Sequence, residues 1–220
     1  MTEATYDVPL AALLERSESF EMAIVGCFPE YGASLAFLNS QGELVGSACD
    51  LCVEHARTLR AAFAVGSPNS GSAVLRLQYE ALLRAAWLMF AATPAQIERL
   101  AKTLDLESEQ AAKNLPGYLE MLNAVGKVAP EALAVPLAEF NQYSRHALNS
   151  FVHSGIHALH RVRHGYPLEL ALTVVRFSNA IMHFAYRLLA TLSGSQQRMD
   201  RVTRIYVDFR DCVPMAKDGR

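Results

Sequence analysis

Apolar residues recur every three or four positions through most of this chain, and that spacing predicts a protein built from helices. No stretch alternates polar and apolar residues for long enough to predict a strand. Clusters of Gly, Pro, Asn and Ser predict turns at "SQGE" (40–43), "GSPNSGS" (66–72) and "HGYP" (164–167). Around these turns we predict helices over about 7–27, 43–65, 73–92, 94–104, 130–151, 168–192 and 196–209, with shorter helices between 107 and 129.

These elements predict an all-α fold, a single-domain helical bundle over residues 1–220 with long, mostly antiparallel helices. Within it, 1–65 would hold the N-terminal helices, 70–192 the core, and 193–220 the C-terminal helix and tail. Hydrophobic residues make up 51% of the chain and charged residues only 19%, below the usual quarter. Since the apolar faces over 10–25 and 43–65 are wider than one such bundle covers, we predict a homodimer.

Two of the apolar helices each carry one thin polar line. Arg76, Glu80 and Arg84 are spaced i, i+4, i+8 on an otherwise apolar helix. We predict that this line is buried, with Glu80 paired to an arginine or a histidine, so that Glu80→Ala would cost about 3–5 kcal/mol. In the last long helix the line is formed by Arg176, Asn179, His183 and Arg187. For that helix, the sequence does not decide whether the polar line faces solvent or the interior of the bundle.

Five of the seven histidines lie in "HALNSFVHSGIHALHRVRHG", residues 146–165. On one continuous helix, His146, His153, His157, His160 and His164 would lie on one narrow face. Ser154-Gly155 is expected to interrupt the helix after His153, which would divide the stripe. His160 and His164, set among arginines, are then predicted to be exposed. His153 is the candidate for chemistry, with Asn149 and Arg145 on the two preceding turns.

Composition and charge indicate which binding partners and which cellular compartment the protein has. The net charge of −2 gives no overall positive field, so there is no DNA signature. The opening residues lack a secretory signal pattern, and the longest apolar run is broken by charged residues, so neither secretion nor a membrane span is predicted. Four cysteines do not form a disulfide framework, which favours a reduced, cytoplasmic protein. No cofactor motif is present, and neither Cys49-x2-Cys52-x2-His55 nor His153 with His157 offers a full metal ligand set.

Three segments together resemble a known superfamily: "RLQYEALLRAAW", "LNSFVHSGIHAL" and "VRFSNAIMHFA". They look like an uncharacterised group of bacterial helical proteins that is itself similar to the HEPN superfamily (higher eukaryotes and prokaryotes nucleotide-binding). The resemblance covers about residues 70–192. It implies a helical bundle, often dimeric, and in many members a metal-independent ribonuclease of toxin–antitoxin or phage-defence systems. The family motif is an Arg, a polar residue, and then a His after four to six positions in total. Arg145 matches the arginine and His146 matches the polar residue.

His153 follows Arg145 after seven intervening residues, one more than that motif allows. This departure favours a degenerate, non-catalytic relative that acts as an interaction module. The alternative is RNA cleavage, with His153 as acid or base, Arg145 on the phosphate and Glu80 orienting His153. A second alternative is a small-molecule site in the bundle. The residues that would line such a polar or phosphate-binding pocket are Arg76, Arg84, Asn149, His157, Arg176, Asn179 and His183. The predicted binding partners, besides a second copy of the chain, are RNA or a partner protein. No metal or other cofactor is predicted.

Overall fold

A computed structural model describes residues 8–28 and 39–214. The predicted beginning of the first helix at residue 7 and the tail from residue 215 lie outside these ranges. The described residues form ten α-helices and no strand, which confirms the all-α bundle, and none of the helices is long and apolar enough to cross a membrane. The elements are α1 (Val8–Val25), α2 (Ser40–Ala64), α3 (Pro68–Phe90), α4 (Pro94–Ala101), α5 (Leu106–Ala112), α6 (Tyr118–Val128), α7 (Glu131–Val152), α8 (Ile156–His164), α9 (Leu168–Leu192), α10 (Gln196–Asp208) and a 3-10 turn (Arg210–Cys212).

Helix α3 forms the centre of the bundle. It packs against α2, α6, α7 and α9, and its side chains at Tyr79, Leu82, Leu83 and Trp87 are almost completely buried. A helix that is apolar around most of its circumference needs neighbours on most sides. The thin polar line seen in the sequence is therefore explained by position: α3 has little surface left for polar residues.

Not all the helix pairs are antiparallel. Helices α2 and α3, joined by three residues, run in opposite directions, as short connections require. Helices α1 and α9 run in the same direction: Ser17 contacts Asn179, and Glu21, one turn further along α1, contacts Tyr186, two turns further along α9. This parallel pair brings polar residues of α1 and α9 together inside the bundle.

The turn predicted at 40–43 is wrong. "SQGE" is the first turn of α2, and the Asn39 side chain caps it by accepting a hydrogen bond from the Gly42 amide at 2.9 Å. Gln41 donates from Nε2 to the carbonyl of Leu88 at 2.8 Å. The cap and this long-range bond outweigh the turn preference of a Ser-Gln-Gly sequence.

The loop predicted at 66–72 is shorter than expected. Only Val65, Gly66 and Ser67 separate α2 from α3, which begins at Pro68, and Gly66 has the positive φ of a helix end. Gly71 lies inside α3, where an added Cβ would come within 2.7 Å of the Phe63 ring. Gly71 therefore allows α2 to pack closely against α3 and does not form a loop.

The interruption predicted after His153 is confirmed. Helix α7 ends at Val152, His153 is its C-terminal cap, and Ser154 takes a left-handed φ of 52° before α8 begins at Ile156. The Ser150 hydroxyl then accepts a hydrogen bond from the amide of His157 at 2.9 Å. The histidines of 146–164 therefore lie on two helices and form no single stripe.

Candidate functional site

The charged line of α3 is divided between core and surface. Arg76 is buried, and its Nη2 lies 2.8 Å from Oε1 of Glu80, whose side chain is 41% exposed. The predicted pairing of Glu80 with an arginine is correct, but its predicted burial is wrong: the carboxylate keeps much of its hydration and avoids the cost of desolvation. Arg84 is a separate, partly buried cation against Trp87, and its Nη1 is buried without a hydrogen-bond partner. Burial lowers the pKa of Arg84.

Two arginines from different helices meet at one aromatic ring. The guanidinium carbon of Arg76 lies 4.3 Å from the ring centroid of Tyr118, the first residue of α6, and that of Arg145 on α7 lies 5.9 Å from it. The Tyr118 hydroxyl and Arg145 Nε are both buried and have no hydrogen-bond partner in the part of the chain that the structure describes. We call Arg76, Glu80, Tyr118 and Arg145 the double-arginine cluster. It joins three predicted site residues to Tyr118, which no spacing or motif in the sequence identified.

His153 lies apart from the double-arginine cluster. It is exposed at the end of α7, whereas Arg145 is eight residues earlier, about 12 Å along the helix axis, and contacts Tyr118. Glu80 is linked to Arg145 only through Arg76 and the Tyr118 ring, whereas His153 follows the partly buried Asn149 by one turn.

The polar line of α9 is partly structural. Asn179 is buried and donates from Nδ2 to Ser17 Oγ and to the carbonyl that ends the 3-10 turn, both at 2.7 Å. His183 is buried, and its Nε2 is 3.0 Å from the carbonyl oxygen of Val202 on α10. Burial lowers the pKa of His183 to about 4. These two residues join α1, α9 and the C-terminal segment, while Arg176 is only partly buried.

The most buried ion pair in the described ranges was missed by the sequence analysis. Glu21 on α1 is 4% exposed and pairs with Arg60 on α2, which is 7% exposed. Its Oε1 also accepts a hydrogen bond from Arg57 Nε at 2.7 Å, and the Tyr186 hydroxyl lies 3.4 Å from the same oxygen. The partners are 36 and 39 residues apart, so no helical spacing identified the pair.

Helix α8 exposes its apolar face. Its residues Ile156, Leu159 and Val162, here called the α8 ridge, are 77%, 58% and 73% exposed, and no residue of α8 is buried. Arg161, Arg163 and three histidines flank the ridge. A nine-residue helix is marginal by itself, and an exposed apolar ridge with a polar rim is typical of a docking surface.

The described residues contain no group of three or more His, Cys, Asp or Glu side chains placed to hold a metal ion. Cys49 and Cys52, the candidate thiols of the Cys-x2-Cys-x2-His spacing, are buried free cysteines. Burial raises the pKa of both thiols, which disfavours the thiolate that metals bind.

The chain matches a family that is defined by sequence. The profile of DUF6988, described as a family of unknown function, matches residues 49–215. No curated protein and no solved structure matches the chain. The matched range runs from the middle of α2 through the 3-10 turn and includes both the double-arginine cluster and the α8 ridge. The chain therefore belongs to DUF6988, a family of unknown function.

Proposed function

We propose that this protein is a non-catalytic, HEPN-like interaction module that assembles as a homodimer through the α8 ridge. The observation that carries the proposal is the exposure of all three large apolar side chains of a helix that buries none of its own residues. The resemblance of residues 70–192 to HEPN proteins supports a bacterial defence or toxin–antitoxin setting in the cytoplasm. Separation of Arg145 from His153 supports a role in binding over one in catalysis.

The occupant of the α8 ridge that we propose is the 104–109 segment of a second copy. That segment, "LDLESE", exposes Leu104 and Leu106 at 84% and 78% and carries three acidic residues in its sequence. The α8 ridge is apolar and flanked by arginines, so the two surfaces are complementary in both hydrophobicity and charge. Two α8 helices facing each other would instead juxtapose like charges.

The positions of the two surfaces suit a two-fold axis. Helix α8 lies near the beginning of α3, where the Tyr166 hydroxyl meets that of Ser72, whereas the 104–109 segment follows α4 beyond the end of α3. Helix α3 has 23 residues and is about 35 Å long. A two-fold axis perpendicular to α3 would place the α8 ridge of each copy near the 104–109 segment of the other. Each contact would then be made twice.

Serine substitutions on the α8 ridge should dissociate the dimer. Burying an apolar side chain contributes about 1.5–3 kcal/mol, and every 1.4 kcal/mol is a tenfold change in affinity. Because each substitution acts at two symmetric contacts, we expect Ile156→Ser with Val162→Ser to raise the dimer dissociation constant at least about 100-fold. Sedimentation at micromolar protein concentration should show a dimer for the parent and a monomer for this variant.

The matched control is Val8→Ser with Val65→Ser, which changes two equally exposed side chains, 81% and 76%, elsewhere on the surface. The control variant should remain dimeric. Glu109→Arg should weaken the dimer and Arg163→Glu should partly restore it in the double variant. A parent protein that sediments only as the 24.2 kDa species would reject the proposal, as would equal dissociation of the control variant.

RNA cleavage is the second candidate function, and the exposure of His153 beside the basic helix α8 favours it. A histidine can act as base or acid near neutral pH, and Arg161 or Arg163 could contact the phosphate. His153→Ala should then abolish cleavage of RNA or toxicity on expression, while His160→Ala should leave both unchanged. Equal loss in both variants, or a parent that cleaves no RNA, would contradict catalysis at His153.

A further inference from the structure

The double-arginine cluster has more positive than negative charge. Arg76 and Arg145 both lie against the Tyr118 ring, and Glu80 pairs with Arg76 only. Within the described residues, no carboxylate lies within ion-pair distance of Arg145. A partly buried guanidinium without an anion is costly, because the charge has lost water and gained no partner.

Hydrogen-bonding groups in the same place are also unused. Tyr118 Oη and Arg145 Nε are buried donors without partners. Asn141 is one turn before Arg145 on α7, and its Oδ1 is a buried acceptor without a partner. Buried polar atoms are nearly always hydrogen-bonded in folded proteins. Asn141 Oδ1 and Arg145 Nε are one turn apart on α7 and Arg145 faces the Tyr118 ring, so one ligand that both accepts and donates hydrogen bonds could pair all three atoms.

We propose that Arg76, Tyr118 and Arg145 form a binding site for a phosphate group. Its oxygens would accept from Arg145 Nε and from the Tyr118 hydroxyl, and the net positive charge of the cluster would stabilise the anion. A protonated phosphate oxygen, or a hydroxyl of the molecule that carries the phosphate, would donate to Asn141 Oδ1. A carboxylate has no such proton at neutral pH and would leave this acceptor unpaired.

The double-arginine cluster borders the surface, although the three atoms without partners are themselves buried. Glu80 is 41% exposed at one side of the cluster, and Tyr118 and Arg145 are each only partly buried as whole residues. This site is independent of the α8 ridge, so phosphate binding and dimerisation can succeed or fail separately. It differs from the motif-based alternative because it uses Arg145 with Tyr118 and not with His153.

Binding is best measured by calorimetry and thermal unfolding with inorganic phosphate in a phosphate-free buffer. We expect saturable binding in the millimolar range or tighter, with a rise in Tm. Arg145→Met should weaken binding about tenfold or more, since a hydrogen bond to a charged group is lost together with the charge. Tyr118→Phe should weaken binding several-fold. The control variant Arg204→Met, at an exposed arginine on α10, should bind like the parent.

Stability without ligand separates a binding role from a structural one. Since the Tyr118 hydroxyl and Arg145 Nε have no hydrogen-bond partner among residues 8–28 and 39–214, Tyr118→Phe and Arg145→Met should unfold at the same temperature as the parent or higher when phosphate is absent. Tighter binding of a nucleoside monophosphate than of inorganic phosphate would show that the site takes a phosphate group attached to a larger molecule. Absence of binding in the parent, binding unchanged in both variants, or acetate binding as tightly as phosphate would each overturn the proposal.

Discussion

Glu21→Ala is expected to lower the free energy of unfolding by about 3–5 kcal/mol, which is the usual cost of leaving one partner of a buried ion pair alone. The substitution removes the carboxylate that pairs with Arg60, a residue 7% exposed to solvent. Among the described residues, the Arg60 guanidinium then keeps one weak hydrogen bond, from Nη1 to Met182 Sδ at 3.7 Å. Chemical denaturation with urea should show the loss as a lower midpoint with an unchanged slope.

Two comparisons make the Glu21 prediction specific. Glu18→Ala changes an exposed carboxylate one turn earlier on α1 and should alter the free energy of unfolding by less than about 0.5 kcal/mol. Adding Arg60→Met to Glu21→Ala should recover part of the loss, because the buried charge is then removed with its partner. A loss below about 1 kcal/mol for Glu21→Ala would show that water reaches Arg60 and that the pair is not a buried one.

Acid is expected to destabilise this protein through His183 by roughly 3 kcal/mol between pH 6.5 and pH 4. Burial lowers the pKa of His183 to about 4, whereas an unfolded histidine titrates near 6.5. The unfolded chain therefore binds a proton at a pH at which the folded protein does not. The stabilising contribution is complete above about pH 6.5 and is lost as the pH falls towards 4, at about 1.4 kcal/mol for each pH unit.

His183→Gln should remove this part of the pH dependence, because glutamine has no proton to gain and can still donate to the Val202 carbonyl. The control His146→Gln changes an exposed histidine on α7 and should leave the pH dependence unchanged. Measuring the free energy of unfolding at several pH values for the three proteins tests the prediction. A slope that is the same in His183→Gln as in the parent would contradict it.

The fold class and most helix limits could be predicted because the signals are local. The limits of α9 agree with the sequence prediction, and so does the break between α7 and α8 at Ser154-Gly155. The errors at 40–43 and 66–72 have a common cause. Turn-prone residues there are held in helices by partners far along the chain, Leu88 for Gln41 and Phe63 for Gly71. A prediction from local propensity does not take those partners into account.

The candidate site was predictable in part. The i, i+4 spacing identified Arg76 and Glu80 as a pair, since neighbours on one helix face are fixed by helix geometry. Tyr118 was not identifiable, because it comes to Arg76 and Arg145 only when α6 packs on α3 and α7. The family motif associated Arg145 with His153 as one site. In the structure the Arg145 side chain contacts Tyr118, and His153 lies apart from it.

The sequence by itself determined that this protein is helical, where most of its helices begin and end, and that α3 is surrounded by other helices, because hydrophobic periodicity and helix caps act within a few residues. Only the tertiary structure decided which polar residues are buried together. Glu21 with Arg60, and Asn179 with Ser17, join residues 39 and 162 positions apart. It also decided that the α8 ridge is exposed, because the burial of an apolar face depends on which helices pack around it and not on its own sequence.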